Sequence, residues 1–290
     1  AVVSVLYAIL AMSLNLIAGV AGQISLGHIA FYGIGAYTSA LLCVNFGISV
    51  WVGILAAFVV SMLFGLLIAI PTLKLSGGYL AILTMSFAEI IRLILLNWTS
   101  VTRGPMGILN IPKPSLFGYT IKSSGAFLYL VLAVAIIVYI GLHNLIHSRF
   151  GRNLQALRDD EISSESMGIN VYRYKVIAFV ISTGIAGVAG ALFASYMEFI
   201  DPSSFISDES TVILSMVVLG GMGNMNGSII AAALLTILPE ALRSFSDYRM
   251  LVYGVVLVAM MLLKITDWAA VKRALKTALD FKTGGKENGT

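Results

Sequence analysis

The sequence predicts an all-α fold, a polytopic transmembrane helical bundle. Of its 290 residues, 59% are hydrophobic and only 11% are charged, and the mean hydropathy is +0.95. An ordinary soluble domain carries about 25% charged residues, and a single core could not bury this much apolar surface. Much of the chain must therefore face a lipid bilayer.

About nine apolar segments are candidates for membrane spans, because a spanning helix needs about 20 mostly apolar residues. They lie approximately at 1–18, 24–44, 50–70, 78–98, 125–146, 174–197, 209–221, 228–242 and 249–264. The seventh and eighth are short, and the glycine-dense stretch 220–227 lies between them. Broken or re-entrant helices are therefore predicted there. Further spans upstream of residue 1 are also compatible with the sequence.

The distribution of Lys and Arg predicts the orientation, because cytoplasmic loops are enriched in both residues. If the loop 148–173 is cytoplasmic, twelve basic residues lie on that face and five lie on the other. The C-terminus is then cytoplasmic, and 99–124 is the largest outward loop. We expect a transmembrane domain at 1–265, followed by a cytoplasmic amphipathic helix and polar tail at 266–290.

Two charged residues lie within the fourth predicted span. Glu89 and Arg92 are three residues apart on one helical face, so they could neutralise each other. Such residues cost about 2.5–3.5 kcal/mol each at the centre of a spanning helix unless they are paired or hydrated. Two interpretations remain open: a polar lining or gate on a solute path, and a structural ion pair.

A second polar group lies among glycines near the N-terminus. It consists of Asn15, Gln23, Ser25 and His28. For His28, a satisfied interior histidine is favoured over a proton relay, because no second histidine or carboxylate is spaced nearby to complete a relay or a metal site. We therefore predict no metal site, and we find no nucleophile and base arrangement that would indicate an intramembrane enzyme.

Glycines point to two special segments and one packing face. The segments 19–35 and 220–227 are both interrupted by glycines. This similarity predicts an internal pseudo-repeat with the paired broken helices that mark substrate sites in transporters. Gly221, Gly223 and Asn224 thereby join the polar residues as candidates for a solute pathway. In the sixth span, Gly184, Gly187 and Gly190 form a small-residue face that predicts close helix packing.

The loop 148–173 has the pattern of a short surface helix. Leu154, Leu157, Glu161 and Glu165 recur at three- and four-residue steps, and Gly168 is placed to end a helix. Such a helix presents mixed charge and a few apolar side chains to the cytoplasm. It could be a solvated loop or a docking element for a soluble partner.

This loop and the residues after it, 171–179, resemble the cytoplasmic segment of permease subunits of branched-chain amino acid ABC transporters of the LivM type. Other stretches agree with the same family, in order and at similar spacing, over most of the chain. They are 13–19 continuing through 22–28, then 87–92 with 102–108, and finally 218–223. The Glu-Ala-Ala pattern of other ABC permease loops is replaced here by the sequence Ser-Ser-Glu-Ser at 163–166.

The resemblance implies an importer of branched-chain amino acids in a bacterial or archaeal cytoplasmic membrane. A second, LivH-like permease would pair with this chain, two ATP-binding subunits would dock beneath it, and an extracytoplasmic binding protein would deliver the solute. The loop would then be a coupling helix. Its candidate contacts to the ATP-binding subunits are Arg158, Asp159, Asp160, Glu161 and Glu165, with Gly168 at its end.

The resemblance also implies that this chain holds no cofactor and is not itself an enzyme. ATP and Mg²⁺ would bind to partner subunits, since the sequence contains no G-x-x-x-x-G-K-[ST] motif. An importer of urea or short amides is an alternative on the same scaffold. A stand-alone secondary transporter is another, but it would need unpaired membrane acids, whereas Glu89 has Arg92 beside it. The net charge of +4 is too small and scattered to suggest nucleic-acid binding.

Overall fold

The computed structural model of the chain describes residues 1–72, 78–116, 119–121 and 123–241. The chain divides into two compact units, Ala1–Ile237 and Leu238–Thr290. The first unit contains almost all of the described residues. In the second unit, the described residues are 238–241.

The described part of the chain is dominated by helices. In chain order they are α1 (Val2–Asn15), continued by a π-helix at Leu16–Val20, then α2 (His28–Phe46), α3 (Val50–Thr72), α4 (Gly78–Asn97), α5 (Thr99–Thr102), α6 (Ser124–His147), α7 (Arg149–Asp159), α8 (Glu161–Ser166), α9 (Val171–Met197), α10 (Ser207–Gly220) and α11 (Met225–Ala241). Two 3₁₀-helices lie at Gly104–Met106 and Pro202–Phe205.

Six helices of the described residues are long and apolar enough to cross a membrane: α1 with its π-helical end, α2, α3, α4, α6 and α9. The shortest have 19 residues, which corresponds to about 28 Å at about 1.5 Å per residue. That length suits a hydrocarbon core of about 30 Å. The first six predicted spans are therefore confirmed as helices of spanning length, and the chain is a multi-pass membrane protein.

The seventh and eighth predicted spans are shorter helices. α10 has 14 residues and α11 has 17. The ninth predicted span, 249–264, and the predicted tail, 266–290, lie outside the described residues. The count of nine spans and the boundary at 265 therefore stay predictions, as does the internal pseudo-repeat.

Helical structure is interrupted at both glycine-rich segments. The π-helix ends at Val20, and α2 begins only at His28. Similarly, α10 ends at Gly220 and α11 begins at Met225. In the second break, Gly221 and Gly223 have φ of 102° and 85°, a backbone region that glycine adopts without steric cost. The glycines therefore determine where this helix stops.

The core of the bundle is formed by α2, α3 and α9, which pack directly against one another. A Cβ on Gly35 of α2 would overlap the backbone of Gly187 in α9, and a Cβ on Gly187 would overlap Ser61 and the carbonyl of Ala57 in α3. A Cβ on Gly190 would overlap the carbonyl of Tyr32 in α2. The predicted small-residue face of the sixth span is thus confirmed as a surface of close helix contact.

The loop 99–124, which is predicted to face outward, contains short structured pieces. Strand β1 (Ile108–Leu109) pairs antiparallel with β4 (Phe199–Ile200), which directly follows α9, and β2 (Ser115–Leu116) pairs with β3 (Tyr119–Thr120). An ion pair of 2.6 Å between Lys113 and Glu198 joins the loop to the residue that follows α9. The loop is therefore attached to the C-terminal end of α9.

The loop 148–173, which is predicted to be cytoplasmic, forms two helices where the sequence pattern predicted one. α7 ends at Asp159, and α8 begins at Glu161. The break occurs because Asp160 has an extended backbone and caps α8 with its side chain. Leu154 and Leu157 are buried, so the apolar side of α7 lies against the bundle. Gly168 follows α8 with a φ of 84°.

Candidate functional site

The two glycine-rich segments meet at Asn15, near the end of α1. Asn15 Oδ1 accepts a hydrogen bond of 2.8 Å from the backbone N–H of Gly223, and its Nδ2 donates one of 3.1 Å to Ser228 Oγ. The Asn15 side chain is fully buried. One amide side chain therefore ties α1 both to the break before α11 and to α11 itself.

Close backbone contact reinforces this junction. A Cβ on Gly19 would overlap the backbone nitrogen of Gly223 and the amide oxygen of Asn15. A Cβ on Gly220 would likewise overlap the backbone of Gly227. Glycine is needed at these positions because the chains approach closer than any side chain permits. We call this region, Gly19 and Asn15 with Gly223 and Ser228, the glycine junction.

Asn224 and Gly221 have local structural roles beside the junction. Asn224 Oδ1 accepts a hydrogen bond of 3.1 Å from the backbone N–H of Gly227 in the first turn of α11. Gly221 O accepts a bond of 2.9 Å from the Asn224 N–H. Both residues thus shape the break between α10 and α11, and their predicted role in a solute pathway stays a prediction.

Arg158 reaches the glycine junction from the loop 148–173. Its Nη1 donates a hydrogen bond of 2.5 Å to Gly19 O. A Cβ on Gly22 would lie 2.9 Å from Arg158 Cγ, and a Cβ on Gly223 would lie 3.3 Å from Arg158 Nη1. The guanidinium group therefore lies against glycines of both segments, an arrangement that sequence spacing could not reveal.

His28 belongs to a buried hydrogen-bond chain that joins α1, α2 and α9. Its Nε2 lies 2.7 Å from Ser13 Oγ, and Ser13 Oγ donates to Leu10 O at 2.8 Å. Since the hydroxyl hydrogen of Ser13 is used on Leu10, His28 Nε2 is assigned as the donor to Ser13. Ser182 of α9 donates to Ser13 O. The bond at Nε2 agrees with an interior structural histidine, but the buried Nδ1 of His28 has no hydrogen-bond partner within the described residues.

The segment between the π-helix and α2 is held by α4. The N–H of Leu26 donates to Thr84 Oγ1 at 3.0 Å, and a Cβ on Gly27 would overlap the carbonyl of Thr84. Gln23 and Ser25 are buried, and within the described residues Gln23 Oε1 and Ser25 Oγ have no hydrogen-bond partner. These two predicted pathway residues therefore offer polar atoms beside the glycine junction.

Glu89 and Arg92 form the predicted ion pair within α4. Arg92 Nη2 and Glu89 Oε1 are 2.5 Å apart, and Arg92 Nε also contacts both carboxylate oxygens at 3.1 Å. The side chains remain 25% exposed for Arg92 and 43% exposed for Glu89. A bidentate pair of this kind satisfies both charges internally. Its exposed side still needs polar surroundings, because it lies in a membrane-spanning helix.

An apolar groove of about 580 Å³ lies between α1, α6 and α11. Its lining is aliphatic apart from a few polar groups at its ends, among them Tyr139, whose hydroxyl donates to Asn226 Oδ1 at 2.8 Å. None of the predicted pathway residues is part of this lining. A zwitterionic solute would find few hydrogen-bond or ionic partners there, so the groove is better suited to hydrocarbon chains.

The predicted coupling residues do not all face the same way. Asp159, Asp160, Glu161 and Glu165 are exposed, and Glu161 forms an ion pair of 2.6 Å with Lys175. Arg158 is exposed as well, but its Nη1 bonds to Gly19 O. A surface depression of about 670 Å³ is lined by residues of α8 and the following turn, among them Glu165 and Gly168.

Asp160 is the residue that positions α8. Its Oδ1 accepts a hydrogen bond of 3.0 Å from Ser163 N, and its Oδ2 accepts one of 2.8 Å from Ser163 Oγ. These two bonds hold the pKa of the Asp160 carboxyl below its usual value of 3.8. Asp160 therefore serves as a helix cap.

Two apolar residues of the loop 148–173 were not identified from the sequence. Ile162 is 79% exposed and Met167 is 83% exposed, and both lie outside the spans among acidic side chains. Exposed apolar residues in a polar setting mark surfaces where proteins interact. The only sequence signal was their apolar character within a charged segment.

Comparison with known proteins places these features in context. The family described as "Branched-chain amino acid transport system / permease component" matches residues 1–262. The chain is 41% identical to the high-affinity branched-chain amino acid transport permease LivM of Salmonella typhimurium strain LT2, over 90% of this chain and 67% of that relative. It is 40% identical to LivM of Escherichia coli strain K12, with the same coverage.

A second type of permease is also similar. LivH of Escherichia coli strain K12 is 26% identical over 90% of both chains. No solved structure matches this chain.

Proposed function

The chain belongs to the family of permease components of branched-chain amino acid transport systems, and we propose that it forms part of the translocation pathway of an ATP-driven importer for these amino acids. The observation that carries this proposal is the identity of 41% to a LivM permease over 90% of the chain. The family match confirms the resemblance found in the sequence. It also confirms a transport subunit over an enzyme.

We propose a second permease as the membrane partner of this chain. The similarity of the chain to both LivM and LivH permeases supports such a pair. The exposed side of the Glu89–Arg92 pair gives a physical reason for it. Charges in a spanning helix avoid hydrocarbon, so this side of α4 is expected to face the second permease or the aqueous path between the two chains.

The cytoplasmic loop is the proposed docking surface for the ATP-binding subunits. Ile162 and Met167 supply exposed apolar anchors, and the acidic residues Asp159 and Glu165 surround them. Interfaces commonly place such apolar anchors within a polar rim. ATP and Mg²⁺ would be held by those subunits, and an extracytoplasmic binding protein would deliver the solute to the outward side.

The residues proposed for the solute pathway lie around the glycine junction and on α4. They are Asn15, Gln23, Ser25, His28, Glu89, Arg92, Gly221, Gly223 and Asn224. A branched-chain amino acid has two opposite charges and an aliphatic side chain, so it needs a few polar anchors between apolar walls. Gln23 and Ser25 support this assignment best, since their buried oxygens have no partner within the described residues.

The proposed location is the cytoplasmic membrane of a bacterium or archaeon, with the C-terminus in the cytoplasm. The excess of Lys and Arg in the loop 148–173 and beyond residue 264 supports this orientation. The permease domain would then comprise 1–265, and the segment 266–290 would be a cytoplasmic amphipathic helix and tail.

Co-purification followed by transport tests the proposal. The chain is isolated from its native membrane in mild detergent, the proteins that accompany it are identified, and the assembly is placed in liposomes. We expect two ATP-binding subunits, a second permease, and leucine uptake that requires ATP and the binding protein. Uptake of urea without leucine would support the short-amide alternative. Leucine uptake by the chain alone, without ATP, would support a secondary transporter.

A further inference from the structure

Within the described residues, Arg158 links α7 to the glycine junction through a side-chain hydrogen bond. Its Nη1 donates to Gly19 O at 2.5 Å, and the two residues are separated by 139 positions in the sequence. The Arg158 side chain also lies within contact distance of a Cβ added to Gly22 or Gly223. Both glycine-rich segments therefore accommodate this arginine through their lack of side chains.

The acceptor, Gly19 O, belongs to an unusual turn. In an α-helix the N–H of Gln23 would donate to Gly19 O. Here Ala21 N donates to Leu16 O at 3.1 Å, five residues back as in a π-helix, and Gln23 N donates to Ile17 O at 3.0 Å, six residues back, where the chain leaves the helix at Gly22. Gly19 O is one of the last carbonyls of this helical segment, which have no partner within the helix, and Arg158 supplies a hydrogen-bond donor to it.

The π-helix offers two alternative bonding patterns for the same residues. With Arg158 in place, Gly19 O is satisfied from outside the helix. Without Arg158, Gly19 O can be satisfied by Gln23 N if the segment becomes α-helical through Gly22, whose φ is 70° in this structure. Single π-helical turns occur frequently at functional sites, and a bond to a charged donor is about twice as strong as a neutral one. Arg158 therefore favours the π-helical form.

A change in this turn would act directly on the junction. Asn15 immediately precedes the π-helix and bonds to Gly223 N and Ser228 Oγ. Gly19 itself touches the backbone of Gly223. A tighter turn would move these contacts relative to α11, so the position of Arg158 and the geometry of the junction are connected.

The packing of α7 connects the exposed side of the loop to Arg158. α7 packs against the π-helix and α9, with Leu154 and Leu157 buried. Arg158 and the residues that follow it, Asp159 and Asp160, are exposed. A force applied to the exposed side of the loop is therefore transmitted to the guanidinium group through a single short helix.

We propose that Arg158 is the positioning residue through which movement of α7 changes the glycine junction between its two bonding patterns. This inference rests on the proposed function, in which ATP-binding subunits act on the cytoplasmic loop. Arg158 is thus assigned to the coupling of ATP hydrolysis to transport, whereas the exposed acidic residues are assigned to docking.

The test compares variants of the complete transporter in liposomes. The variants are Arg158→Ala, Arg158→Lys and the control Arg152→Ala, and the readouts are ATP hydrolysis and leucine uptake per ATP. Arg152 lies on the same helix, but its Nη1 donates to the nearby carbonyl of His147. For Arg158→Ala we expect ATP hydrolysis to be retained and uptake per ATP to fall at least about tenfold, equivalent to about 1.4 kcal/mol. Arg158→Lys should restore part of the uptake, because its ammonium can donate to Gly19 O.

Specific results would overturn the inference. An unchanged uptake per ATP in Arg158→Ala, or an equal loss in Arg152→Ala, would show that the Gly19 bond has no coupling role. If Arg158→Ala does not assemble, Arg158→Gln is measured instead with the same expected loss, since it keeps an amide donor without the charge or the reach. An unmodified transporter that does not take up leucine would instead contradict the proposed function.

Discussion

Asn15→Ala is the substitution that tests the glycine junction most directly. It removes the acceptor for Gly223 N–H and the donor to Ser228 Oγ. It leaves α1 apolar at this position and adds no new bulk, so steric overlap does not complicate the result. We expect it to weaken the attachment of α1 to α11.

The magnitude follows from which partner is left unsatisfied. Ser228 Oγ still donates to Asn224 O at 3.1 Å, so its hydrogen remains bonded. Gly223 N–H loses its bond to Asn15, and since Gly223 is exposed, this loss costs only the net worth of an ordinary hydrogen bond, about 0.5–1.5 kcal/mol. The lost interhelical bond to Ser228 adds about 0.6 kcal/mol, the average for such bonds inside membranes. We therefore expect a decrease of about 1–2 kcal/mol in the free energy of unfolding.

The assay is reversible unfolding of the purified chain in mixed detergent micelles, followed by circular dichroism. A double-mutant cycle with Ser228→Ala isolates the direct bond, for which we expect a coupling of about 0.6 kcal/mol and no more than about 1.7. Asn97→Ala is the matched control, because Asn97 is exposed and donates to Leu93 O of its own helix at 2.8 Å. It should change stability by less than about 0.5 kcal/mol.

Two results would contradict the role of the glycine junction in stability. If Asn15→Ala were as stable as Asn97→Ala, the junction would not hold the two segments together. If the effects of Asn15→Ala and Ser228→Ala simply added, the bond between the two side chains would have to be abandoned as a source of stability.

Three further predictions address other parts of the chain. Gly35→Ala should lower the stability by about 1–3 kcal/mol through overlap with α9, whereas Gly141→Ala, with open space around it, should be neutral or stabilise α6 by up to about 1 kcal/mol; equal stabilities in the same unfolding assay would contradict the packing. Ile162→Asp should reduce co-purification of the ATP-binding subunits while membrane insertion is unchanged, and undiminished co-purification would remove Ile162 from the docking surface. Because hydrogen bonds from Ser163 lower the pKa of Asp160, its cap should stabilise α8 fully above pH 3.8 and be lost as the pH falls through the lowered pKa; a carboxyl NMR titration with a midpoint at or above 3.8 would refute this.

Much of the membrane architecture could be predicted from the sequence, because hydrophobic length and glycine content are local properties. The six long helices follow from apolar segments of about 20 residues. The interruption at Gly220–Gly221 follows from the density of glycine. The ion pair of Glu89 and Arg92 follows from a spacing of three residues on one helix.

The contacts of the candidate site could not be predicted in the same way. Asn15 and Gly223 are 208 positions apart, and no local pattern indicates which of many polar residues will meet. The bond from Arg158 to Gly19 O depends on the packing of α7, which its mixed sequence leaves undetermined. The division of the cytoplasmic loop at Asp160 was missed because periodicity was extended across it, although an Asp three residues before a Ser is a recognisable capping signal.

The contact of α2 with α9 also restricts how relatives of this chain can diverge. At Gly35 and Gly190, a Cβ would overlap backbone atoms of the other helix, so every side chain larger than hydrogen is excluded. In contrast, only 17% of the spanning part of α6 is buried, and its outer surface needs only to be apolar in lipid. We expect accepted substitutions to accumulate on α6 and to be nearly absent along the α2–α9 seam, so that the pattern of variation among relatives records the geometry of the bundle.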